Sequence, residues 1–164
     1  MKKLNFIIKC GLALLLLSFY SCESWLNVTP SDRLSEEMLF NDREGFVKAL
    51  NGVYIELNTN ELYGRNLTAG ALDVMGQYYS VASSSHAFYN YGGLVYTGND
   101  EKALFDNMWQ KCYAVIACCN TIIEKCDENK AGLSPVWKGA IKGEALALRA
   151  MLHFDMLRLF LSLI

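Results

Sequence analysis

The stretch EKALFDNMWQKCYAVIACCNTIIEKCD, residues 101–127, decides the fold. Its apolar residues recur at helical spacing, so that Leu104, Phe105, Met108, Trp109, Cys112, Tyr113, Ile116, Cys119, Ile123 and Cys126 fill one broad face. A helix with so wide an apolar face has to bury it against other helices. Asn120 projects from the middle of that face. Because a buried amide without a partner costs on the order of 1–3 kcal/mol, it is expected to bond a nearby backbone group. Cys112, Cys118, Cys119 and Cys126 all fall in this helix, where a seven-residue step rises about 10 Å, beyond the Cα separation a disulfide accepts. They therefore do not bridge one another within it. No CxxC pair and no companion histidines offer zinc geometry, so Cys112, Cys119 and Cys126 read as small apolar residues on the buried face. Cys118 projects with Lys111 and Lys125 on the polar side and is expected as an exposed thiol.

A second long segment follows the first. Ser134 and Pro135 make a cap and first-turn pair, opening a last helix that runs from Val136 toward the chain end. Projected at about 100° per residue, this helix carries two apolar stripes. Gly139, Gly143, Leu146, Ala150, Phe154 and Leu157 form one; Ile141, Ala145, Leu148, Leu152, Met156 and Leu159 form the other. Glu144, Asp155 and Arg158 divide the stripes on one side, and Lys138, Lys142, Arg149 and His153 on the other. Such a helix lies between two layers, with the glycines and Ala150 admitting a close neighbour as in stacked helix pairs. Upstream helices can cover one stripe and nothing after Ile164 covers the other, so a truncated domain is expected.

Upstream, Ser35 is expected to cap a short helix. Asn41 followed by Glu44 has the spacing of a capping box, and Phe46, Leu50, Val53, Tyr54 and Leu57 follow at helical spacing. After the Asn58-Thr59-Asn60 break, a further helix is expected between Glu61 and Met75, weakened by Gly64 and Gly70. Between Gln77 and Asn99 the character changes: Tyr78, Tyr79, Phe88, Tyr89, Tyr91 and Tyr96 sit among serines, glycines and asparagines. Flat rings stack on the apolar faces of sugars and neighbouring amides bond their hydroxyls, so this loop reads as a carbohydrate platform. The alternative is that half of these rings simply pin the loop onto the helices.

The N-terminus has the plan of a secretory signal: Lys2 and Lys3, then the apolar run Leu12 to Leu17, then Ser18, Phe19, Tyr20, Ser21 and Cys22. A small residue directly before a cysteine is the ending of a bacterial lipoprotein signal, with Cys22 as the first mature residue and the carrier of the acyl chains. Phe19 and Tyr20 are bulkier than the residues usual there, and an ordinary cleaved signal or an uncleaved anchor are the other readings. Removal of residues 1–21 leaves 143 of the 164 residues, enough for one hydrophobic core. Residues 22–34 read as a lipidated tether, with Trp25 and Leu26 as an early packing anchor and Thr29-Pro30-Ser31-Asp32 as turn chemistry. Residues 35–164 are the folded part.

A formal net charge of -2 with scattered lysines and arginines gives no footprint for nucleic acid. No nucleophile elbow, zincin motif or phosphate-cradling glycine loop is present, and Ser83-Ser84-Ser85-His86 lacks an identifiable third group. The adjacent Glu36 and Glu37 stand near a helix start, where they complement the dipole rather than flank a sugar. Neither an enzymatic activity nor a metal or other cofactor is expected.

Four motifs, taken in order, resemble a known family. A lipoprotein cysteine is followed by a helix ending Ala49-Leu50-Asn51-Gly52-Val53-Tyr54, then by Trp109-x3-Tyr113-x2-Ile116-x3-Asn120, then by Gly143-Glu144-Ala145 running to Leu148-Arg149-Ala150 and His153-Phe154. This resembles the N-terminal part of SusD/RagB-like proteins of the Bacteroidetes. The resemblance implies a mainly α fold of tetratricopeptide-like stacked helix pairs with an irregular aromatic-rich loop. It also implies an outer-membrane lipoprotein, lipid-anchored and facing the exterior, that binds oligosaccharides or other nutrients above a TonB-dependent transporter. The family continues past the Arg-Ala helix through a Gly- and Pro-containing turn, whereas here Phe160 is followed by Leu161-Ser162-Leu163-Ile164. Trp109, Tyr113 and Asn120 are assigned to helix packing, and Glu144 and Arg149 to pairing on a covered helix. Tyr78, Tyr79, Tyr89, Asn90 and Tyr91 are the candidates for ligand contact, chosen by their chemistry and their place before the Trp109 helix. A helical scaffold that binds a protein partner through the exposed stripe, and an inactive remnant of the family, are the rival readings.

Overall fold

A computed structural model describes residues 36–161, which run through α1 (Glu36–Leu39), α2 (Arg43–Leu57), α3 (Ala71–Met75), α4 (Tyr89–Gly92), α5 (Asn99–Glu128) and α6 (Pro135–Phe160). Among the described residues there is no strand, and the mainly helical class read from the sequence holds. The proposed signal, Cys22, the tether with Trp25 and Leu26, and Ser35 lie outside the described residues.

α5 and α6 form an antiparallel hairpin. Asn129 ends α5 in the left-handed conformation at φ 47°, and its side chain accepts from the Leu133 N–H at 2.8 Å, closing the turn on itself. Asparagine tolerates that conformation better than most residues. Ser134 then caps α6 through the Trp137 N–H with Pro135 in the first turn, as its sequence position predicts. Along the hairpin Lys142 reaches Asp127 at 2.6 Å and Arg149 donates to Asn120 at 2.8 Å.

The seam between the two helices is built from Met108, Cys112, Val115, Cys119, Ile122 and Cys126 on α5, alternating four- and three-residue steps. Ile141, Ala145, Leu148, Leu152 and Met156 answer from α6. This corrects the sequence reading at several points. Val115 and Ile122 are buried although the projected face omitted them, while Trp109 and Tyr113 are exposed at its edge. Asn120 is also exposed, and its partner is the Arg149 side chain rather than a backbone group. The physical reason is that two helices in long contact keep a 3.5-residue repeat, which excludes positions that a straight 3.6-residue projection includes.

α2 packs across both helices with Phe46, Leu50, Val53 and Leu57. Its cap is Asp42, whose carboxylate accepts from the Gly45 N–H at 2.8 Å, one residue later than the Asn41 box expected from spacing. Gly45 is required here because a Cβ would overlap the Leu39 carbonyl. Tyr54 is exposed rather than core, and its hydroxyl donates to Glu144 at 2.5 Å, while Lys111 pairs with Glu56. The long helix expected over 61–75 is not formed. Residues 59–70 are successive turns in which Leu62 and Leu67 are buried, and only Ala71–Met75 is helical. At Gly64 and Gly70 an added Cβ would collide with the Asn58 and Arg65 carbonyls, so these glycines mark folded-back backbone. From these turns Tyr63 donates to Asp155 at 2.6 Å.

Of the two stripes on α6, the one from Ile141 to Met156 is buried, and the one through Leu146, Phe154 and Leu157 faces solvent. Leu152 is 0 % exposed, so Leu152→Ala is expected to cost about 2–5 kcal/mol in urea unfolding. Leu157→Ala, on the open stripe, is expected to stay within about 0.5 kcal/mol.

Burial raises the Cys112 and Cys119 thiols to about 11 and raises Cys126 as well, whereas Cys118 is exposed. Peptide mapping after iodoacetamide treatment of the native chain is therefore expected to find Cys118 as the modified cysteine of α5. Cys112, Cys119 and Cys126 should react only after unfolding.

Candidate functional site

The chain from Gly76 to Gly98 is an irregular loop with one short helix, and two polar latches hold it. Gln77, at φ 61°, donates from its side chain to the Gly92 carbonyl at 2.9 Å, joining the start of the loop to the end of α4. Asn90 donates from its amide to Glu101 at 2.7 Å, fixing α4 to the first turn of α5. Glu101 stands three residues after Gly98, the cap of α5, and its carboxylate also bonds its own backbone N–H. Its side chain occupies the space that a Cβ at Gly98 would need.

Beneath the latches lies an aromatic cluster. Tyr91 is 2 % exposed and its ring centroid stands 5.8 Å from Phe88, 6.2 Å from Tyr96 and 6.0 Å from Phe105. The row continues through Phe160 and Trp109 to Tyr113 and His153, with Phe160 and Trp109 centroids 5.0 Å apart. Burial, and after it the nearby Glu101 charge, pushes the Tyr91 hydroxyl up to about 12, so it stays protonated. The guanidinium of Arg65 lies 5.6 Å from the Phe88 ring and covers the cluster from outside.

The five residues singled out in the sequence are thus placed differently from one another. Tyr89, Asn90 and Tyr91 share α4, but Tyr91 points into the core, Asn90 is spent on Glu101, and Tyr89 stays exposed. Tyr78 and Tyr79 are exposed in the bend after α3, Tyr78 at 80 %, with its ring lying across Gly76. Three rings are therefore presented to solvent on a loop that is tied at both ends. Glu101 and Gln77, which do the tying, were not singled out from the sequence. An acidic residue three places after the helix-starting glycine was the available signal for Glu101. Gln77 has no comparable local signature.

Ser83 and Ser85 bond each other at 2.9 Å, and the Nδ1 of His86 accepts from the Phe88 N–H, so this cluster serves loop geometry. Among the described residues no group of three or more His, Cys, Asp or Glu could hold a metal ion, and no helix is long and apolar enough to cross a membrane.

These features define a helical protein with a ring-bearing surface loop. Residues 24–162 match the SusD-like family model described as starch-binding associating with outer membrane, and the chain belongs to that family. It is also similar to SusD-like protein P2 of Formosa agariphila, 26% identical over 163 residues, which cover 96% of this chain and 29% of that protein. The chain thus spans under a third of the length of that relative. No solved structure matches it.

The Asn90 amide, first, and the Glu101 backbone N–H hold the Glu101 carboxyl below the ordinary glutamate range. A depressed folded-state value means that this tie is complete above the ordinary glutamate range and is lost as pH falls through the folded value. Acid titration followed by the Asn90 side-chain amide resonance is expected to show α4 released below that range, and Glu101→Gln should abolish the dependence.

Proposed function

We propose that this chain binds glycans or related nutrients at the outer membrane, with Tyr78, Tyr79 and Tyr89 as the rings that meet the ligand. The observation that carries the reading is the conjunction of family membership with three solvent-facing tyrosines on a loop held at both ends. A ring held in place loses little conformational freedom when a sugar stacks on it, so more of the contact energy appears as affinity. Tyr91 acts one step back: its buried ring supports α4 and thereby the presentation of Tyr89.

In this reading the chain is no enzyme and needs no cofactor. The acyl chains on Cys22 hold it to the outer membrane facing the exterior, residues 22–34 are the tether, and residues 35–164 are the N-terminal helical part of a SusD-like domain. Ligand captured on the rings passes to a TonB-dependent transporter beneath. Family membership and the cysteine at the end of an export-type segment support that arrangement.

Calorimetric titration of the full chain with linear maltooligosaccharides and a panel of other glycans tests the proposal. Tyr78→Ala and Tyr79→Ala are each expected to weaken the bound glycan about tenfold, or about 1.4 kcal/mol, with thermal unfolding unchanged. Tyr91→Ala is expected to lower the unfolding temperature as well as affinity. A correctly folded full chain that binds no member of the panel would overturn the proposal.

A further inference from the structure

The loop opens on two residues whose conformations run against their types. Gly76 ends α3 at φ -72° and ψ 0°, values that any residue adopts, while Gln77 after it takes the left-handed φ of 61° that suits glycine best. The turn itself demands a left-handed residue there. The Gln77 N–H returns to the Val74 carbonyl at 3.1 Å and the Tyr78 N–H to the Asp73 carbonyl at 3.0 Å, the paired bonds of a Schellman helix end, in which position 77 is the one glycine usually fills.

Both departures serve the rings. A Cβ at Gly76 would stand 3.1 Å from the Tyr78 ring, so the glycine is placed where that ring needs a seat. A glycine at position 77 would relax the turn but has no side chain, whereas the Gln77 amide reaches the Gly92 carbonyl at 2.9 Å. That carbonyl ends α4, where helix acceptors lack intrahelical partners. α4 supplies the comparison. It closes in the same turn, Leu94 N–H to the Tyr91 carbonyl at 3.1 Å and Val95 N–H to the Asn90 carbonyl at 2.9 Å, with Leu94 at φ 56°. Leu94 is exposed and has no amide to offer. The two positions share a backbone strain, and only Gln77 adds a side-chain bond.

We propose that Gln77 is a positioning residue, whose amide couples the Tyr78–Tyr79 bend to α4 so that those two rings and Tyr89 meet one ligand together. Tyr78 and Tyr79 follow Gln77 directly, and Tyr89 stands about one helical turn before Gly92, so the bond joins two ring-bearing segments at their bases. Asn90 ties α4 onward to Glu101 of α5, and the bend is thereby anchored to the long hairpin. Without Gln77, Tyr89 keeps that anchor while Tyr78 and Tyr79 hang from α3, a helix of five residues. This inference rests on the glycan-binding reading and narrows its ligand to an oligosaccharide long enough to touch both segments. When two contact points are held in fixed relation, the second contact is intramolecular, and a ligand that spans both gains affinity that a single sugar unit does not.

Gln77→Glu tests this, because it keeps the length of the side chain and replaces the donor with an acceptor facing a carbonyl. In nitrogen-15 relaxation of the full chain, the backbone order parameters of Tyr78 and Tyr79 are expected near about 0.85, and below about 0.6 in Gln77→Glu, with Tyr89 and the helicity unchanged. In calorimetry, Gln77→Glu is expected to weaken the longest bound oligosaccharide by about three- to tenfold, as loss of one hydrogen bond implies, and to leave the monosaccharide of the same series unchanged. Leu94→Gly, which relieves the same strain where no latch exists, is expected to alter neither measurement. Unchanged order at Tyr78 and Tyr79 in Gln77→Glu, an equal loss of affinity for long and short glycans, or the same effects from Leu94→Gly would each overturn the proposal. A full chain that binds no glycan overturns the binding reading and the ligand class with it, and the relaxation comparison still decides whether Gln77 positions the rings.

Discussion

Everything in the described structure depends on how closely α6 can lie along α5. The seam allows this because its central positions are small. Cys112, Cys119 and Cys126 recur every seven residues on α5, all 0 % exposed, and Ala145 on α6 is 0 % exposed. Larger side chains at those positions would push the helices apart and leave Leu148 and Leu152 without a packed surface. The thiols contribute bulk and polarizability rather than reactivity, and the Cys112 thiol turns toward the Leu152 carbonyl. With the hairpin set, α2 lies across it, and the turns after α2 bring Tyr63 to Asp155. The loop is then fixed from the α5 side by Glu101.

The long elements were legible in the sequence because their periodicity extends over many turns. The two helices of the hairpin, the Ser134-Pro135 start and the second stripe of α6 need only the spacing of apolar residues to be recognised. The errors arose at the edges of those patterns. Trp109 and Tyr113 carry the apolar character of core residues, and only the drift between a 3.5- and a 3.6-residue repeat moves them off the seam in favour of Val115 and Ile122. The 59–70 region failed for a different reason. Leu62 and Leu67 have the composition of a helix, but the carbonyls facing Gly64 and Gly70 leave no room for a Cβ, so backbone geometry overrides propensity.

The loop was legible in composition but not in orientation. Six aromatic residues among polar ones announce a ring-bearing surface, yet nothing local distinguishes Tyr91, which is buried, from Tyr89, two residues earlier and exposed. That difference comes from the single turn of α4 and from the Asn90–Glu101 bond across eleven residues, a tertiary contact. Asn90 shows the limit of choosing by chemistry, because an amide suited to bonding a sugar hydroxyl is equally suited to bonding a carboxylate. Where the carboxylate is already in place at 2.7 Å, the amide positions the neighbouring rings.

The two surfaces of the molecule differ in how their aromatic residues are used. Around Tyr91 the rings turn inward and polar latches close over them, so the exposed Tyr78, Tyr79 and Tyr89 stand on a supported base. Around Phe154 the order is reversed: the polar groups are drawn sideways, Glu144 and Asp155 toward the α2 side and Lys142 and Arg149 toward α5, and the apolar face between them is left open. Satisfying the charges inside the chain removes the groups that would otherwise keep water on that face. That face, with bare glycines at one end and Phe154 and Leu157 at the other, is the apolar stripe of α6 that the hairpin and α2 do not cover. The loop instead spends its two amides, Gln77 and Asn90, on the latches and leaves Tyr78, Tyr79 and Tyr89 exposed.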